Sequence, residues 1–295
     1  MSPAQPGILD AVPPLARYLT FTLADAPGAG FPDAVRRLAG AADGKSLVVG
    51  FGPGLVTALG ASVPGLQEMP AIAGKGVDVP STPIALWCWL RGDDRGDLLH
   101  ASRRLVTLLQ PAFKVRQVLD AFRHKTGRDL TGYEDGTENP VGDLAEEAAL
   151  VHGAGPGLDG SSYLAVQQWV HDFDAFNLLA ETDRDHHIGR RLSDNFELED
   201  SPTSAHVKRT AQESFEPHAF MLRRSMPWTV NLQGGLVFVA FGNSHRSFEV
   251  QMRRMAGEED GVVDAMFSIS HPVSGSYLWC PPVAGKNLDL RQLGL

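Results

Sequence analysis

Three features of the chain could do chemistry together: an acid held in a turn, scattered histidines, and paired arginines inside an apolar run. The segment TGYEDGTENP (131–140) sets Asp135 and Glu138 among Gly132, Gly136 and the pair Asn139-Pro140. Asp tolerates unusual backbone angles and Gly supplies positive φ, so on local grounds the segment is a turn. The same turn is able to present Asp135 to a pocket as a proton acceptor. The ten histidines contain no His-x-His or His-x-x-x-His pair, which argues against a zinc site with several protein ligands. For any one of them a structural role is the simpler reading. A metal that needs a single protein ligand stays open, and haem leads that class because the porphyrin supplies four ligands. His206 lies where a polar loop enters a mixed apolar run (PTSAHVKRT), and His171 ends the segment YLAVQQWVH, facing the rim of any pocket there. If FMLRRSMPW is a strand, Met221, Arg223 and Ser225 share one face and Leu222 and Arg224 the other. One arginine then turns to the covered side, where it needs a carboxylate or a polar cavity. A twisted edge strand with both arginines solvated is the alternative.

These side chains need a scaffold, and the composition permits one. Of 295 residues 43% are hydrophobic and 21% charged, enough for a sizeable core and too apolar for wholesale disorder. The net charge of -9 leaves no basic tract to neutralise phosphates, so neither nucleic acid nor an anionic membrane is an expected partner. The longest apolar runs are far short of a membrane span. The opening MSPAQPGILDAVPP has no basic region and no apolar core, which points to the cytoplasm. Cys88 and Cys280 are too few for a disulfide scaffold or a thiolate cluster, and neither sits in Cys-x-x-Cys-His, so no thioether-linked haem is expected.

The order of elements repeats. Alternation in RYLTFTL (17–23), SLVVGFG (46–52) and IALWCWLRGD (84–93) predicts strands, with helical spacing at Phe31, Ala34, Val35 and Leu38 and in DLLHASRRLVTLLQ (97–110). FKVRQVLDAF (113–122) closes a β-α-β-β-α-β series. After the 131–140 turn and the Gly-rich link VHGAGPGLDGSS, the series restarts. SYLAVQQWVHD is a strand, DAFNLLAETDRDHHIGR a helix, EPHAFMLRRSMPW and GGLVFVAFGNS a strand pair, and RSFEVQMRRMAG a helix. The expected fold is α+β: a duplicated ferredoxin-like fold, two antiparallel sheets with helices packed on them, akin to a dimeric α+β barrel. The halves are 1–140 and 141–295. Pockets form at such junctions, which is where the turn lies.

In this order, GYEDGTENP, IGR (188–190), SAHV (204–207), LRRSMPW (222–228) and DAMFSISHPVSG (264–275) resemble the dye-decolourising peroxidase family, most of all its B-type bacterial branch. The spacing from His206 to Arg223 is similar to that branch too, and the likeness spans nearly the whole chain. The resemblance implies non-covalent haem b, one per subunit, bound mainly by the C-terminal half. It implies His206 as the iron ligand, Asp135 and Arg223 as the distal acid and arginine, and Ser225 beside them. Asp264 is then the acceptor for the second N–H of His206, while Glu138 falls near the haem edge and Arg190 near a propionate. The implied reaction is oxidation of dyes, phenolics or other small aromatic one-electron donors by hydrogen peroxide, through a ferryl intermediate.

Two rival readings remain at this stage: a haem-handling protein, as carrier or iron-releasing deferrochelatase, and a non-catalytic ferredoxin-like binding module. Electrons from bulky donors would arrive through the haem edge or by way of Trp and Tyr residues, among them Trp87, Trp89, Trp169 and Tyr133. A homo-oligomer is expected. The tail KNLDLRQLGL is expected to pack on its own subunit, with docking into an encapsulating protein shell as the other possibility.

Overall fold

A computed structural model describes residues 3–24, 28 and 30–295. The strands Leu15–Leu23, Leu47–Phe51, Leu86–Gly92 and Phe113–Phe122 form one antiparallel set. Ser162–His171, Met226–Val230, Gln233–Gly242 and Ser276–Cys280 form a second. The two sets join edge to edge where Trp279 pairs with Phe51 and Ala121 with Trp228. Because Gln233–Gly242 also pairs with Ser162–His171, the sheet closes on itself as a barrel. Closure brings backbones very close at Gly235, where any Cβ would stand 2.0 Å from the carbonyl oxygen of Trp169. Only glycine fits there.

The barrel explains why its strands are apolar on both faces. Side chains of one parity, such as Tyr18, Val48, Trp87, Trp89, Leu164, Val239 and Leu278, fill the interior. Those of the other parity, such as Leu19, Val49, Phe51, Cys88 and Leu90, pack beneath the helices Phe31–Ala41 and Arg95–Leu109. On the second set, Ala165, Trp169 and Ala240 lie beneath the helix Arg246–Met255. Leu288, Leu290 and Leu293 of the tail are buried in the core of the first set.

Two expected elements divide. The helix expected over DAFNLLAETDRDHHIGR is two, Phe173–Leu178 and Glu181–Ile188, because Leu179 and Ala180 are extended. The strand expected over FMLRRSMPW is also two, Leu222–Arg223 and Met226–Val230. Between them the Ser225 hydroxyl accepts the Val239 N–H where a ladder carbonyl would. No helix among the described residues is long and apolar enough to cross a membrane.

Candidate active site

One cleft beside the second strand set gathers Asp135, Glu138, Arg190, His206 and Arg223, with a volume of about 220 Å³. Its floor is apolar, formed by Leu236, Phe238, Phe248, Met252 and Met266. The 131–140 segment forms its upper wall. Gly136 has φ +80° there, so the chain reverses immediately after Asp135, and Asn139 fastens the turn to Arg223. The Asn139 amide donates to the Arg223 carbonyl at 3.0 Å, and its oxygen accepts the Arg223 N–H at 2.9 Å. The turn and the arginine are therefore one unit. Arg223 keeps a buried Nε with no hydrogen-bond partner.

Alternation from Met221 to Ser225 separates the two arginines. Arg224 turns away from the cleft and donates to the carbonyls of Ile8 (3.1 Å) and Leu9 (2.6 Å). Burial with these neutral partners, and repulsion from Arg91, lowers its pKa to about 10. Ser225 does not line the main cleft. It borders an adjoining cavity that shares Asp135, Gly136 and Arg223.

His206 opens the one-turn helix His206–Arg209 and lines the same cleft. A helix this short cannot hold itself. Arg209 anchors it, donating to both Asp260 oxygens at 2.8 Å and to the Arg254 carbonyl at 2.6 Å. His206 Nδ1 lies 2.8 Å from Asp264 Oδ2, which leaves Nε2 as the uncommitted ring nitrogen. Asp264 itself accepts the Met266 N–H. At the rim, Arg190 donates to Glu138 and Glu197, each at 2.6 Å. Both glutamates are more than half exposed, so these pairs add little to stability.

The sequence reading missed Asp129 and Ser270, which share the cleft. His171, expected at a rim, stands between them, with Nε2 2.9 Å from Asp129 and Nδ1 2.7 Å from Ser270. No local spacing connects positions 129, 171 and 270. Enclosure raises the pKa of the Asp135 carboxyl, and the charge of Asp129 adds to this. Arg223 and His206 pull against it without cancelling it. Enclosure also acts to raise Asp129, but His171 and Thr131 together outweigh it and hold that carboxyl below its ordinary range. Among the described residues no group of three or more His, Cys, Asp or Glu side chains is placed to hold a metal ion.

A family model described as Dyp-type peroxidase, C-terminal, matches residues 126–285, more than half of the chain and the whole of this cleft's wall from Asp129 to Ser270. The chain belongs to the Dyp-type peroxidase family. A dye-decolorizing peroxidase of Mycolicibacterium paratuberculosis is 27% identical over 314 residues, covering 95% of this chain and 84% of the relative. A variant of Rhodococcus jostii RHA1 DypB, solved in complex with heme, is 26% identical with a TM-score of 0.86, covering 93% of this chain and 95% of that one. A dye-decolorizing protein from V. cholerae is 27% identical with a TM-score of 0.84, covering 93% and 96%. The B-type resemblance agrees with the DypB likeness, and the fold agrees with the duplicated α+β expectation. This Dyp-type peroxidase is thus a haem-dependent enzyme that uses hydrogen peroxide and a reducing substrate. The cleft suits the group: an apolar floor for the porphyrin, a histidine with one free nitrogen, and an arginine with an orphaned buried N–H.

Proposed function

We propose that His206 Nε2 is the protein's single ligand to a non-covalent haem b, one per subunit, and that Asp135 and Arg223 of the same cleft activate hydrogen peroxide. The observation that carries this reading is that one cleft is lined by a carboxylate-backed histidine and by an aspartate and an arginine tied to the same turn. Haem held there would supply the redox chemistry of peroxide reduction. Asp135 acts as base and then acid, taking the proton from the inner peroxide oxygen and returning it to the outer one. Arg223, with its free Nε–H, stabilises the negative charge that grows on the departing oxygen. Asp264 accepts the Nδ1 proton of His206, which fixes the tautomer and strengthens the ligand. Ser225 supports the distal side from the adjoining cavity, Glu138 stands at the haem edge, and Arg190 is set to meet a propionate once its glutamates yield. Dyes, phenolics and other small aromatic donors are the reductants proposed.

The halves 1–140 and 141–295 are proposed as the two ferredoxin-like units, the second providing most of the haem contacts. Five consecutive exposed residues, Lys114 to Val118, on the strand Phe113–Phe122 favour a homo-oligomer. The free, buried thiols of Cys88 and Cys280 suit the reducing cytoplasm. An encapsulating shell is the weakest partner, since the leucines of the tail are already packed in the core.

The deciding experiment is the visible spectrum of protein supplied with haem, compared with His206→Ala. A Soret band that vanishes in the variant, together with peroxide-dependent oxidation of a phenol or dye by the parent, is the expected result. Full haem retention in His206→Ala overturns the ligand assignment. Haem or iron release without peroxide, in place of turnover, favours the haem-handling reading.

A further inference from the structure

Sulfur is concentrated in the cleft that holds Asp135 and Arg223. Of the seven methionines in the chain, four line it: Met221, Met252, Met255 and Met266. A thioether reacts with peroxide through its lone pair and needs no deprotonation, whereas a cysteine reacts as its thiolate. Cys88 and Cys280 are buried away from the cleft, and enclosure pushes both thiols up, so they take no part. Met221, Met252 and Met255 are at most 5% exposed. Met266 is only partly covered. It is therefore the sulfur that a peroxide molecule in the cleft meets first.

The position of Met266 ties its chemical state to His206. Its side chain packs against two separate apolar clusters, one with Trp169 and Met252 and the other with Ile188 and Ile269, and so joins them. Its N–H donates to Asp264 Oδ1 at 2.8 Å, while Asp264 Oδ2 lies at the same distance from His206 Nδ1. A second link runs beside the first: the Ala265 N–H donates at 2.8 Å to the carbonyl of Ser204, two residues before His206. Phe267 packs on Trp169 with ring centroids 5.4 Å apart. The short turn Ala265–Ser268 is thus wedged between the apolar clusters and the histidine. A sulfoxide on Met266 sets a strong S–O dipole among those apolar groups, where a polar group without a donor is costly. Its side chain must shift to reach water or a donor, and the turn that holds Asp264 shifts with it.

We infer that Met266 is a modification site of this enzyme, converted by hydrogen peroxide to the sulfoxide, and that the conversion loosens the hold on haem. Only the second half rests on the haem site proposed above. In the step, the Met266 sulfur lone pair attacks one peroxide oxygen, an S–O bond forms and the O–O bond breaks. The proton on the transferred oxygen passes to the departing oxygen, which leaves as water. Sulfur is oxidised and peroxide is reduced, with no other reactant. The modified enzyme holds haem less firmly, so unspent peroxide limits its own consumption.

The test treats full-length protein with hydrogen peroxide, without a reducing substrate, and reads each methionine by peptide mass spectrometry. One added oxygen is expected on Met266 before Met221, Met252 or Met255. The treated protein is then loaded with haem, and transfer to an apo-globin scavenger is followed at the Soret band. Transfer should be about 10-fold faster than from untreated protein, the low end of the effect of disturbing a metal ligand's partner. Met266→Leu keeps the apolar volume and cannot take up oxygen, so peroxide treatment should leave its transfer rate unchanged. Oxygen on another cleft methionine first, or none on Met266, overturns the modification site. Modified Met266 with an unchanged transfer rate, or equal acceleration in Met266→Leu, overturns its effect on haem. If no sample shows a Soret band, the haem site itself has failed, and the peptide map still decides the modification site. If Met266→Leu alone takes up no haem, oxidised parent treated with a methionine sulfoxide reductase carries the test. A transfer rate that does not return to its starting value there overturns the assignment equally.

Discussion

His206 Nδ1 and Asp264 Oδ2 are 2.8 Å apart, and the Asp264 side chain is wholly enclosed. A carboxylate there both orients the ring and makes its other nitrogen a better donor to iron. Asp264→Asn preserves the shape and the Met266 N–H contact but removes the charge. Haem affinity, read by Soret titration, should fall by roughly 10–100-fold, the usual effect of losing such a partner. The reduction potential of the iron should rise. An unchanged potential would show that the pair only orients the ring.

The helix that carries His206 depends on Arg209. Its guanidinium is nearly buried and bridges Asp260 and the Arg254 carbonyl, tying four residues of helix to the end of Arg246–Met255. Arg209→Met keeps most of the packed length and removes the bonds. The expected outcome is faster haem loss to an apo-globin scavenger, with the barrel still folded by circular dichroism. The Asp260 pKa is lowered to about 2, chiefly by the hydrogen bond from Arg209. The stabilisation is therefore present above the ordinary aspartate value and is lost only as pH falls toward 2. Haem retention in mild acid should not depend on this pair titrating.

Arg223 and Arg224 should fail in different assays. Arg223→Leu removes the distal charge and should slow the reaction with peroxide by about 10²-fold or more, seen by stopped-flow. Arg224→Leu leaves the carbonyls of Ile8 and Leu9 without their donor, so it should cost about 1.5–3 kcal/mol of stability, as hydrogen bonds to a charged group do. The peroxide step should remain near the parent rate. Interchanged outcomes would mean that the strand register is read wrongly.

Much of this was legible because it is local. The period of two places Arg223 toward the cleft and Arg224 away from it, and the turn residues of 131–140 announce a reversal that the structure contains. The duplicated strand order was legible for the same reason. Barrel closure was not, because pairing of Gln233–Gly242 with Ser162–His171 is a property of two distant edges. The contacts of Asp129 with His171 and of Tyr133 with Asp185 join residues about forty to fifty positions apart with no shared period. The break at Leu179–Ala180 escaped because both residues suit a helix, and the flanking segments prevail over propensity.

The acid limit of the enzyme follows from which charges act on Asp135. Enclosure disfavours its ionised form, so its pKa lies above the ordinary aspartate value of about 4. A base must be ionised to accept the peroxide proton, so peroxide activation should decline as pH falls through that raised value. Asp129 raises Asp135 further, and Arg223 lowers it. Asp129→Asn removes a like charge and keeps only one of the two oxygens that His171 and Thr131 use, so the limit should move to lower pH. Arg223→Leu should move it to higher pH as well as slowing the reaction. Asp135→Asn should abolish the limit and reduce the rate by roughly 10²–10⁴-fold if the proton transfer passes through this carboxyl. Stopped-flow rates against pH for the three variants and the Asp135→Asn, Arg223→Leu double variant decide the matter. Opposite shifts in the first two, with no acid limb in the third, identify Asp135 as the titrating base. An acid limb that survives in Asp135→Asn assigns the titration to another group, with Asp129 of the same cleft the first candidate.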